Sequence, residues 1–105
     1  MPLSKESYEA ARAAEKKLTE ILKEVKLNPD GTLNKDAVEK VNSALTEIAR
    51  EGVTPPVMLS GVPFEVKREF YKVAADYYSM KTEESYRPIA KKYQVLHEIS
   101  KKNKI

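Results

Sequence analysis

Breakers of regular structure are gathered into two short stretches of this chain: all three glycines and four of the six prolines fall within 27–32 and 52–63. Proline costs about 3 kcal/mol in a helix interior and glycine about 1 kcal/mol. The chain is therefore cut into blocks. Within each block apolar residues recur at three- and four-residue steps, which is the period of an amphipathic helix and not of a strand.

In the first block Tyr8, Ala11, Ala14, Leu18, Ile21, Leu22 and Val25 keep that step, predicting a helix over 4–26 with Ser4 as N-cap. Asn28-Pro29-Asp30-Gly31-Thr32 then supplies turn formers, and the chain must reverse. A second helix over 35–51 carries the stripe Val38, Val41, Leu45 and Ile48. Asn34 is placed to cap it, Leu33 and Val38 to form a hydrophobic staple, and Gly52 to end it in a left-handed conformation. Between 52 and 63 the breakers are interleaved with Val53, Val57, Met58, Leu59 and Val62, too apolar a set for a free linker. Thr54 as N-cap and Pro55 at the first position predict one short helical turn over 55–59.

The third helix, over 63–81, has an apolar arc of roughly 200°, about twice that of an ordinary surface helix. Such a helix either sits centrally or turns part of its arc to a partner. Pro88 is tolerated in a first turn, so the last helix should start at Ser85 as N-cap and run over 85–102, burying Tyr86, Ile89, Ala90, Tyr93 and Leu96. Short connections favour antiparallel neighbours. The expected fold is all-α: one domain over 1–105, a small antiparallel four-helix bundle of two αα-hairpins with a helical turn in the connector and a basic tail at 101–105.

Composition narrows the chemistry. There is no cysteine, which removes disulfide scaffolds, thiolate metal sites and thiol catalysis. His97 is the sole imidazole, placed beside the Tyr93 stripe, where a half-buried residue with one satisfied nitrogen is the expectation, and no second His or Cys can complete a metal set. Glu83 and Glu84 are adjacent on the chain, and adjacent helical residues do not face one another. Neither a glycine-rich phosphate loop nor a Gly-x-Ser-x-Gly elbow occurs. A non-enzymatic protein without metal or cofactor is expected. The start of the chain is charged, and no stretch reaches the ~20 apolar residues of a membrane span. A cytoplasmic location without a membrane partner follows as the expectation.

Two partial motifs bear on partners. Asn28, Asp30, Gly31, Thr32 and Leu33 resemble the third to eighth positions of an EF-hand loop, but its first and twelfth positions fall on Lys26 and Ala37, where carboxylates are required. A plain turn is the expectation there. Leu59-Ser60-Gly61-Val62-Pro63-Phe64 resembles the corner of a helix-turn-helix, which over 55–81 would make the third helix a DNA reader. Pro55 and Pro56 shorten its first helix, Lys67 falls where an apolar residue belongs, and Glu65 and Glu69 would face phosphates.

Tyrosine is enriched in the last two helices, at Tyr71, Tyr77, Tyr78, Tyr86 and Tyr93. It suits both the rim of a helical core and a protein-binding surface. The expected function is a protein-interaction module of the adaptor, inhibitor, immunity-type or assembly-factor kind, binding another protein or a second copy of itself. Its expected anchors are Met58, Leu59, Phe64, Tyr71 and Tyr78. Charge points to a rival surface: the net charge is +3, and 82–105, with six cations against three acids, carries all of that excess. Arg87, Lys91, Lys92, Lys101, Lys102 and Lys104 are the candidates for contact with nucleic acid or another anion.

Overall fold

A computed structural model of the protein describes residues 5–52 and 55–103. Among these the chain is all-helical: α1 (Lys5–Lys23), α2 (Lys35–Glu51), α3 (Phe64–Ser79) and α4 (Arg87–Lys102), the last preceded by a 3-10 turn over Glu84–Tyr86. The helices form a small four-helix bundle, each packing chiefly on its neighbours in the chain, α1 on α2, α2 on α3 and α3 on α4. Both hairpins are antiparallel. In the second, Phe70 meets Tyr93 while Tyr78, further along α3, meets the earlier Tyr86.

Local signals account closely for α2. Asn34 Oδ1 accepts from the Ala37 amide at 2.8 Å, satisfying one of the helix's orphan donors. Gly52 ends the helix at φ 70°, a region that penalises a side chain, with its N–H turned back to the last carbonyls. Leu33 and Val38 both join the core, as a staple requires. The expected turn also forms. Asp30 Oδ1 accepts from the Thr32 amide at 3.0 Å and from its hydroxyl at 2.6 Å, and the Asn28 amide donates to the Thr32 carbonyl at 2.8 Å.

α1 is shorter than its apolar period predicts, ending at Lys23 rather than Lys26. Leu27 pairs with Leu33 in an isolated antiparallel bridge, and that pairing requires extended chain before the turn. The helix therefore closes with a tight bond from the Glu24 amide to the Ile21 carbonyl. The expected cap, Ser4, lies outside the described residues.

The connector departs further from expectation. Residues 55–59 form no helical turn. Pro56 disfavours helical backbone at Pro55, and the carbonyls of Pro56 and Val57 are taken by tyrosine hydroxyls from α4 and α3, Tyr93 at 2.6 Å and Tyr71 at 3.2 Å. Thr54, the expected cap, lies outside the described residues. Leu59 and Val62 enter the core on either side of a turn closed by the Val62 amide on the Leu59 carbonyl. Gly61 at that turn has φ 84°, and a Cβ there would sit 2.8 Å from Lys23 Cε. Glycine is needed there for its backbone, since the flexible end of Lys23 can move aside.

The wide arc of α3 is explained by its position between α2 and α4, with the connector laid across it. Its termini lie within two residues of expectation. α4 enters through the 3-10 turn, with Pro88 in the first turn as required. Ser85 does not cap it, since Tyr86 occupies the flanking position and no side chain bonds the first amides.

Candidate functional site

Of the five anchors expected on the third helix and connector, the structure leaves Met58 outside, at 73% exposure. Phe64 is half-buried, with the Arg68 guanidinium over its ring. Leu59, Tyr71 and Tyr78 are at most 2% exposed, a correction to their expected exposure. The reason is packing. Tyr71 and Tyr78 lie in a cluster with Phe70, Tyr86 and Tyr93, ring centroids 5.6–6.3 Å apart. Burial raises the phenol pKa of all three core tyrosines, Tyr71, Tyr78 and Tyr93.

The helix-turn-helix geometry is not formed, because no helix precedes the Gly61 corner. The carboxylate of Asp30 is engaged by Thr32, whose hydroxyl and amide hold it below its usual pKa, in keeping with a self-satisfied turn. Among the described residues no three His, Cys, Asp or Glu side chains come together as a metal site. His97 is half-buried on α4, and burial pushes its pKa down.

The basic candidates fare differently. Arg87, Lys91, Lys92, Lys101 and Lys102 are all exposed on α4, while Lys104 lies outside the described residues. Lys101 pairs with Glu98 at 3.2 Å and Arg87 more loosely with Glu84 at 3.9 Å. Lys91, Lys92 and Lys102 have no acidic partner among the described residues.

Two further residues of the same helix stand exposed that neither charge nor the buried stripe singles out. Val95 and Ile99 are 47% and 41% exposed. At 100° per residue they share an arc of roughly 100° with Pro88, Lys91, Lys92 and Lys102, opposite Tyr93, and no acid falls within that arc. The signal was present, since the buried stripe through Ile89, Tyr93 and Leu96 already leaves both outside. An isolated exposed apolar residue carries no message, but an adjacent β-branched pair ringed by lysines forms a small patch.

Comparison with protein-family models, with curated proteins and with solved structures found no match. No helix of the described residues is long and apolar enough to cross a membrane.

Proposed function

We propose that this chain is a non-enzymatic protein-interaction module acting in the cytoplasm, with the outer face of α4 and not α3 as its main contact surface. One observation carries the reading: Val95 and Ile99 stand exposed one turn apart, bordered by Lys91, Lys92 and Lys102. Interfaces place apolar side chains at the centre and charge at the rim, and rim charge selects the partner. The matching partner is an acidic amphipathic segment of a different protein. A symmetric dimer through this face would bring like charges together, which argues against self-association there.

The test has two arms. A nuclease-treated pull-down with the intact chain identifies bound proteins, and the same experiment with Val95→Glu plus Ile99→Glu asks whether this face holds them. Loss of an acidic partner in the variant supports the reading; full retention overturns it.

The exposed cations of α4 favour a second reading, nucleic-acid binding. Phosphate contacts weaken steeply with salt. Fluorescence anisotropy with mixed DNA and RNA should then show binding at low salt that fades as salt rises, and no signal at low salt removes this reading.

A further inference from the structure

Between the end of α3 and the start of α4 lies an open cleft of about 570 Å³ whose walls carry Lys81, Arg87 and Lys91 and no carboxylate. Ser79, Thr82 and Gln94 supply its neutral polar groups. We propose that this cleft binds the terminal phosphate of a small phosphate ester. The cleft shares only Lys91 with the proposed protein-binding face.

None of the three cations is closely paired with an acid among the described residues. Lys81 Nζ lies 5.0 Å and 5.9 Å from the ring centroids of Tyr77 and Tyr86, so the aromatic faces fix it without neutralising it. Lys91 has no acidic partner among the described residues. Arg87 is shared only with Glu84, at 3.9 Å between two largely exposed side chains, a contact that an arriving dianion displaces readily. Ser79 Oγ accepts from Gln94 Nε2 at 3.3 Å, which leaves its own O–H to donate. Arginine offers a fork that matches phosphate oxygens, and lysines act as point charges beside it.

A second observation lies in the wall. Tyr78 lines the cleft, and its hydroxyl is buried without any hydrogen-bond partner. An unpaired buried donor is unusual in a folded protein and calls for an explanation. The Tyr78 ring stacks on Tyr86 and Tyr93, so this donor sits in the core behind the cleft wall. A terminal phosphomonoester suits three cations better than an internal diester does, because near neutrality it carries close to two negative charges.

The experiment is an amide NMR titration of the full chain with inorganic phosphate and with phenyl phosphate, against sodium chloride at matched ionic strength. Saturable shifts centred on Ser79, Lys81, Thr82, Arg87 and Lys91 are expected with both phosphates and not with chloride. Arg87→Ala plus Lys91→Ala should weaken binding at least tenfold with the helical spectrum unchanged, both side chains being exposed. Lys101→Ala plus Lys102→Ala should change it less than twofold. Lys101 is ten residues from Lys91, ~15 Å along the helix, beyond the Debye length of ~10 Å at 0.1 M salt. Equal shifts with chloride, or equal losses in the two double variants, overturn the site as a mere charge effect. Tighter binding of an oligonucleotide lacking terminal phosphate than of phenyl phosphate overturns it in favour of a strand-binding surface.

Discussion

The two hairpins share a topology and are held by different means. In α1–α2 the connection is specified locally: Asn28, Asp30 and Thr32 satisfy one another, Leu27 bridges Leu33, and Asn34 and Gly52 bracket α2. The buried residues are aliphatic, and among the described residues α1 contributes only Leu18 and Leu22 to the fully buried core. In α3–α4 no side chain caps either helix, and the connection contains no comparable network. Stacked and edge-on rings hold that hairpin, and two of their hydroxyls pin the connector. Local bonding and long-range packing are thus alternative ways to close an αα-hairpin.

The largest blow to this contrast is Tyr93→Ala. It removes the ring shared by Phe70, Tyr71 and Tyr78 and should cost about 3–5 kcal/mol, much of the 5–15 kcal/mol typical of a domain. Urea denaturation should show a collapse of the midpoint, and a loss below about 1 kcal/mol would mean that the aromatic cluster is not what closes the second hairpin.

Tyr93→Phe keeps the ring and strands the Pro56 carbonyl, so a loss of about 1–3 kcal/mol is expected, with amide exchange around 56–59 accelerating more than that in α2. Uniform acceleration would sink the claim that this hydroxyl holds the connector. In the first hairpin, Asn34→Ala should cost about 1 kcal/mol and fray the start of α2. Backbone chemical shifts that still report a full helix from Lys35 would show the cap to be dispensable.

Tyr78→Phe should leave stability unchanged or raise it slightly, because the deleted hydroxyl is buried and unpaired. A clear destabilisation would reveal a partner for that group. Alkaline pH tests the same three rings together. Burial raises the phenol pKa of Tyr71, Tyr78 and Tyr93 above the ordinary value of 10.0, so above pH ~10 the unfolded chain releases protons that the folded one keeps. Stability is then complete below that pH and declines as pH rises. Phenolate absorbance of these three should appear together with unfolding, and their ionisation in a still-folded chain would contradict their burial.

The lone histidine gives a smaller effect of opposite sense. Burial lowers the His97 pKa from 6.5, so the unfolded state binds the proton more readily and stability falls as pH drops below that value. His97→Gln should flatten the dependence between pH 7 and 5 in thermal melts, and an unchanged slope would assign it to other groups.

What could be read from the residues follows the range of the forces involved. α2 was bounded correctly because its cap, staple and terminal glycine act within a few positions. α1 ends before the apolar period predicts because the Leu27–Leu33 bridge takes residues that the period assigns to helix. The turn that the sequence predicts over 55–59 does not form, because the carbonyls that a helix needs there are claimed by Tyr71 and Tyr93, 14 and 37 residues away. Tyr71 and Tyr78 look like surface anchors on a helical wheel, which shows the width of an apolar arc without showing how many neighbours cover it. The basic stripe of α4 was legible from charge alone. Its apolar centre at Val95 and Ile99 was legible in principle, from the opposite face of the same wheel.

By itself the sequence determined an all-helical chain, where it breaks, and that its charge excess lies at the C-terminal end, because propensity, capping and net charge are local or additive quantities. Tertiary structure alone decided which tyrosines disappear into the core, why 55–59 form no helical turn, and that Lys81 joins Arg87 and Lys91 around one cleft. Those outcomes depend on which helices meet, and burial is a property of pairs of surfaces that no single stretch of chain contains.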